Sequence, residues 1–236
     1  MFHVHAWGFP YLATMMGLKQ VYPGRYQPDV LCRLIESEKV TFSHCVPTVL
    51  HMVLSHPQAK QTDFSAWKVL IGGSALPEPM ATAAQNMGID LFTGYGMSET
   101  CPVLSLAHLH SVDLQKSPQA QSTLRAKTGR TIPLVDLRIV DEHMQVVAPG
   151  TVGRLAVRGP TGCKYLDDPR QQDYVKEGWN LPGDTFVMDS DGYFSYQARN
   201  DDMIISAGYN IAGPEVESAL LTHPAVAECG VVGMAD

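Results

Sequence analysis

Residues 91–100 read LFTGYGMSET. An apolar pair enters a glycine-punctuated stretch that ends in a hydroxyl, a carboxylate and a second hydroxyl, those of Ser98, Glu99 and Thr100. Local pattern predicts a buried strand over residues 89–92, with GYG as the turn that follows it. Gly94 and Gly96 let a backbone approach a ligand closely, and Tyr95 offers a flat ring for a purine. Ser98 and Thr100 can donate to phosphate oxygens, and Glu99 can hold a magnesium ion. The same residues also suit a plain turn, with glycine and tyrosine as punctuation. The decapeptide alone leaves both readings open.

Outward from it, residues 1–127 alternate short apolar runs with helical patterns. Residues 28–38 and 47–55 read as amphipathic helices, 40–45 and 68–71 as strands, and 77–87 as a helix with proline near its start. Such alternation implies a largely parallel sheet with ligand groups at the strand ends. Beyond residue 127 the texture becomes all-strand, with runs at 136–140, 145–147, 153–158 and 192–196 between Pro-Gly and Asp-Gly turns, as in a small barrel or distorted sheet. A helix over 215–221 and a strand over 226–232 follow.

The decapeptide and four further segments, in order, carry a family likeness. They are MFHVHAWG (1–8), GGSALP (72–77), GWNLPGDTF (178–186) and ARNDDMIISAGYNIAGPEVE (198–217). Together they resemble the adenylate-forming enzymes, the superfamily of acyl-CoA synthetases, luciferases and peptide-synthetase adenylation domains. The resemblance implies an α/β fold with three parts: a parallel-sheet αβ subdomain over 1–127, a small β-barrel-like subdomain over 128–200, and the truncated start of an α+β C-terminal domain over 201–236.

It also implies an ATP-dependent acid–CoA ligase with ATP or AMP, Mg2+ and coenzyme A as its ligands. Residues 1–140 look like fatty acyl-CoA synthetases and residues 150–236 like 2-aminobenzoate or aryl-CoA ligases, so the expected substrate is a fatty or aryl carboxylic acid. Glu99 and Thr100 are expected at the catalytic centre, with Glu99 as the metal ligand. Gly73, Ser74 and Tyr95 are assigned to the adenine end, Gly96 to the nucleotide cofactor, Ser98 and Thr100 to phosphate, and Asp184 and Arg199 to ribose. His3 and Trp7 are assigned to the acyl substrate, Asp201 to the hinge, and Ala207, Gly208 and Tyr209 to the CoA tunnel.

Each assignment has a plainer counterpart. Ser74 can cap the helix that follows it, Glu99 can be a helix-start carboxylate, Asp184 a turn former, Arg199 half of a surface ion pair and Trp7 a core anchor. The family's Thr-, Ser- and Gly-rich phosphate loop and its C-terminal lysine have no counterpart here. The expectation is therefore a fragment that holds adenylate weakly without turnover. A non-catalytic nucleotide- or acyl-binding module, or an enzyme delivering to a carrier protein, is the alternative.

Composition narrows the classes. A net charge of −7 argues against a nucleic-acid surface. Cys32, Cys45, Cys101, Cys163 and Cys229 lack paired spacing, so neither a zinc site nor a disulfide framework is indicated and a cytoplasmic setting is expected. The apolar run at 6–18 is too short for a transmembrane segment. A homodimer of the full-length protein is a further expectation of the resemblance.

Overall fold

A computed structural model describes residues 4–160, 162–200, 204–206, 209–223, 225–226 and 228–234. The first part alternates helices and strands: α1 (His5–Met15), α2 (Pro28–Ser37), β1 (Phe42–Cys45), α3 (Pro47–Leu54), β2 (Lys68–Ile71), α4 (Glu78–Asn86) and β3 (Asp90–Gly96). Strand β4 (Val103–Leu106), helix α5 (Pro118–Ala126) and strand β5 (Arg130–Thr131) complete it. Proline stands in the first turn of α2, α3 and α5, where its missing N–H costs nothing and its fixed φ suits the helix.

The strands form one sheet in the order β1-β2-β3-β4-β5. β1, β2 and β3 run parallel, whereas β4 and β5 are antiparallel additions, so the sheet is mixed and not wholly parallel. β5 puts residues 130–131 in this first sheet, beyond the expected boundary at 127. Val69, Ile71 and Leu91 are fully buried, as expected for parallel strands covered by helices. Leu50 and Val53 of α3, Ala81 and Ala84 of α4, and Phe64 and Trp67 ahead of β2 pack with them.

The second part comprises β6 (Asp136–Val140), β7 (Gly153–Arg158), α6 (Gln171–Tyr174), β8 (Val175–Lys176), β9 (Trp179–Asn180), β10 (Asp184–Met188) and β11 (Phe194–Arg199). The expected barrel-like unit is an open six-stranded sheet in the order β11-β10-β7-β9-β8, with β6 also paired to β7. Residues 145–147 contribute only a single bridge, Val146 to Val140, closed by hydrogen bonds from the Asp141 N–H to the Gln145 carbonyl and from the Val147 N–H to the Ile139 carbonyl. Leu137, Ile139, Leu155, Val157, Phe186 and Phe194 fill its core. A hairpin, β12 (Ile204–Ser206) with β13 (Tyr209–Ile211), and helix α7 (Gly213–Leu220) follow. The described residues of 226–232 are not a strand; the Val231 N–H is instead held by the Glu217 carboxylate of α7 at 2.9 Å.

A seam joins the two sheets. Gly129 and Phe194 exchange a bridge, and a Cβ on Gly129 would fall 2.0 Å from the Leu106 carbonyl carbon, so only glycine lets β4 and β11 approach. Beside it the buried Tyr193 donates its hydroxyl to Asp113 at 2.9 Å, with the Arg130 guanidinium 4.2 Å over its ring and Lys127 paired to Asp189 at 2.6 Å. Burial alone would raise the Asp113 pKa, but the Lys116 ammonium, the Tyr193 hydroxyl and the His110 N–H overcome it and hold the carboxyl below its usual range.

Leu91→Ala should cost about 3 kcal/mol by opening a cavity between sheet and helices, measured by denaturant unfolding. Leu134→Ala, at a side chain 85% exposed, should change stability by less than about 0.5 kcal/mol.

Candidate functional site

The decapeptide is more strand than expected. β3 continues through Thr93, Gly94 and Tyr95 to Gly96, pairing Gly94 with Leu106, Tyr95 with Ser105 and Gly96 with Val103. The expected turn over GYG is therefore corrected. The glycines serve a close approach of chain to chain: a Cβ on Gly94 would lie 2.8 Å from Leu70 Cδ1, and one on Gly96 only 1.7 Å from the Pro102 carbonyl oxygen. The strand between them carries Tyr95 toward the second sheet.

There the Tyr95 ring meets Phe186 edge-on at 4.8 Å, and its hydroxyl donates to Asp184 Oδ2 across 89 positions of sequence. Asp184 begins β10 opposite Arg199, the last residue of β11, and its Oδ1 accepts from Arg199 Nη1 at 3.2 Å. Asp184 is a buried strand residue, 4% exposed, and not the turn former its sequence suggests. Tyr95, Asp184 and Arg199, three of the residues assigned to adenine and ribose, thus form one cluster. Burial, and then the negative charge of Asp184, push the Tyr95 phenol well above its ordinary value, so it stays a proton donor.

Three-residue helical geometry at Ser98–Thr100 follows β3. Ser98 is exposed and Glu99 half-buried. Thr100, expected to contact phosphate, is fully buried. Its hydroxyl accepts from the Met97 N–H at 3.2 Å and donates to the Pro102 carbonyl at 2.6 Å, so its role here is to close the turn that presents Ser98 and Glu99. Gly73 and Ser74 are exposed just past the end of β2, and a Cβ on the adjoining Gly72 would sit 3.5 Å from the Gly94 carbonyl oxygen. This places the 72–74 loop beside β3 at the carboxyl ends of parallel strands, where open α/β sheets bind ligands. Helix α4 starts later, with Pro77 as its uncapped N-terminal flank, so Ser74 is not a helix cap. Gly73 takes a φ of +88°, a conformation that glycine reaches without strain.

Trp7 lies on α1 and is 46% exposed. Two residues on, Phe9 packs on Phe42 and His44 of β1 at 5.5 and 5.9 Å, and His44 Nε2 borders Gly72, so α1 lies near the 72–74 loop. Tyr209 belongs to β13. His3, Asp201, Ala207 and Gly208 fall outside the described residues.

The contact that sequence did not reveal is made by Tyr165, whose hydroxyl donates to Glu99 Oε1 at 2.9 Å. Burial and the Glu99 carboxylate push its phenol up to about 12. No local pattern around CKYLDD marks this residue, because its partner lies 66 positions away. Among the described residues no three His, Cys, Asp or Glu side chains cluster, so the oxygens on which a metal reading rests are those of Glu99 and Ser98. One half-exposed carboxylate next to a serine hydroxyl matches an ion that takes one or two protein oxygens and completes its shell with phosphate and water.

The AMP-binding enzyme family matches residues 1–165, and its C-terminal domain matches residues 215–236. The chain belongs to the AMP-binding enzyme family. A long-chain-fatty-acid–CoA ligase of Thermus thermophilus is 36% identical over 241 residues, covering 99% of this chain and 44% of the relative. An o-succinylbenzoate CoA synthetase of Bacillus subtilis, solved with an acyl-adenylate intermediate, is 28% identical with a TM-score of 0.83, over 99% of this chain and 46% of that one. The same synthetase has been solved with ATP and a magnesium ion. An amide bond synthetase from Marinactinospora thermotolerans is 30% identical with a TM-score of 0.78, over 89% and 42% of the two chains. The chain thus spans about half the length of the relatives it matches. No helix among the described residues is long and apolar enough to cross a membrane.

Tyr95→Phe should lower stability by about 1–3 kcal/mol, because a buried carboxylate loses a donor. The Tyr95 contribution is complete below the ordinary tyrosine pKa of 10.0 and is lost above it, as the unfolded chain ionises first. The gap between wild type and Tyr95→Phe, followed by urea unfolding across pH, should therefore narrow above about pH 10.

Proposed function

We propose that this chain carries the adenylate site of an ATP-dependent acid–CoA ligase. In the first step a carboxylate oxygen attacks the α-phosphorus of ATP, and pyrophosphate leaves to give acyl-AMP. In the second a CoA thiolate attacks the acyl carbonyl carbon and AMP leaves, giving acyl-CoA. The observation that supports this most directly is the convergence of Tyr95, Asp184 and Arg199 beside exposed Gly73, Ser74 and Ser98 and half-buried Glu99.

The residues divide the work by chemistry. The Asp184 carboxylate, held by Tyr95 and Arg199, is the acceptor for the paired hydroxyls of a ribose. The backbone of Gly73 and Ser74 and the Tyr95 ring face the base. Ser98 donates to phosphate oxygens, and Glu99 with Ser98 would hold magnesium. The ion supplies neutralisation of triphosphate charge. No general base is required of the protein, since the attacking carboxylate is already ionised; alignment and charge placement supply the rate.

Relatives named for fatty and aromatic acids support a fatty (medium- or long-chain) or aryl carboxylic acid as substrate, with Trp7 and His3 on the acyl side. Asp201 is assigned to the hinge, and Ala207, Gly208 and Tyr209 to the CoA path. The amide bond synthetase favours a second reading of the second step, in which an amine replaces the thiol while the adenylate chemistry stays the same. Residues 1–127, 128–200 and 201–236 are taken as the functional subdivisions. A cytoplasmic enzyme and a homodimer of the whole protein complete the proposal, the latter checked by light scattering.

Calorimetric titration with a non-hydrolysable acyl-adenylate mimic tests the reading. Wild type should bind, Asp184→Ala should weaken binding about ten- to a hundredfold by losing hydrogen bonds to a charged acceptor, and Glu99→Gln should leave it nearly unchanged because the mimic has no triphosphate. A folded chain that takes no adenylate, or an Asp184→Ala variant that binds as wild type does, would contradict the proposal.

A further inference from the structure

Residues 165–174 form a short brace that leans on the Glu99 turn. The Tyr165 N–H donates to Gln171 Oε1 at 2.7 Å, which ties the start of the segment to helix α6. The Tyr165 ring has two close neighbours, the Tyr174 ring at 5.1 Å and the Arg170 guanidinium at 5.2 Å. Arg170 is itself fixed, with its Nε 2.9 Å from Asp168 Oδ2. The ring thus has two neighbours and a tether along its backbone, and its single polar atom donates to Glu99 Oε1. Tyr165 is the only hydrogen-bond partner of Glu99 among the described residues.

We infer that Tyr165 is a positioning residue, whose hydroxyl orients the Glu99 carboxylate for the metal-bearing triphosphate. A glutamate side chain in a loop has three rotatable bonds, and each must be frozen when it binds an ion. Donation to Oε1 freezes them beforehand and leaves Oε2 without a hydrogen bond from the described residues. Partners that orient a ligating carboxylate are worth about 10–100-fold in metal affinity. The brace also couples Glu99 to the segment entering β8 and β9, so the carboxylate is set jointly by the two sheets. This inference rests on the reading of Glu99 given above.

The test uses the whole chain with Mn2+ as a paramagnetic stand-in and ATP, following free Mn2+ by electron paramagnetic resonance. Three proteins are compared: wild type, Tyr165→Phe and Glu99→Gln. Tyr165→Phe keeps the ring beside Tyr174 and Arg170, so its unfolding temperature should match wild type. It should weaken Mn2+–ATP binding about tenfold and leave metal-free AMP affinity unchanged, a split that a purely structural role would not produce. Tyr165→Phe binding Mn2+–ATP as wild type, while Glu99→Gln binds it poorly, would overturn the inference and leave the Glu99 reading standing. Glu99→Gln binding as wild type would overturn both. Equal losses for AMP and Mn2+–ATP in Tyr165→Phe would assign Tyr165 a structural role only, which also overturns the inference.

Discussion

The buried hydrogen bond from the Tyr95 phenol to the Asp184 carboxylate is the constraint on which the site depends. It joins β3 of the first sheet to β10 of the second. A carboxylate with 4% exposure is costly to bury unless its oxygens are satisfied, and Tyr95 and Arg199 supply the donors. In the proposed reading the same bond sets where a ribose would meet Asp184 and where a base would meet the Tyr95 ring. Stability and ligand geometry therefore share one contact.

Backbone economy makes that contact possible. Tyr95 reaches the second sheet because glycine on either side lets β3 lie against Leu70, Leu106 and Pro102 without a side chain intervening. Thr100 then ties the chain back on itself through Met97 and Pro102. The result is a strand end at which Gly96, Ser98 and Cys101 are exposed and Glu99 is half-buried. Tyr165 reaches Glu99 from the second part of the chain, so each side of the site is built from both sheets.

Much of this was legible from residue pattern. The strands Lys68–Ile71, Asp136–Val140 and Gly153–Arg158 coincide with their sequence runs, because apolar or alternating stretches bounded by turn residues have few other uses. The proline-led helices were equally plain. Gly94 and Gly96 misled, since glycine signals both turns and close strand packing, and only the partner strand β4 distinguishes them. Of the barrel or distorted sheet expected for 128–200 the open sheet holds, and the strand over 226–232 does not form among the described residues; closure and pairing depend on neighbours that a local run does not name. The Tyr193–Asp113 and Tyr165–Glu99 hydrogen bonds, 80 and 66 positions apart, left no local trace. Asp184 shows the gap most clearly, since its Pro-Gly-Asp context suggests a turn while its register with Arg199 makes it a buried strand end.

The central claim is that one nucleotide site is assembled from both sheets around Tyr95 and Asp184. Amide hydrogen exchange with and without AMP tests it most directly. The account predicts added protection that appears together in residues 72–74, 94–100 and the paired ends of β10 and β11, at a common AMP concentration. Protection confined to the segments of one sheet, or appearing at different concentrations in the two, would contradict it.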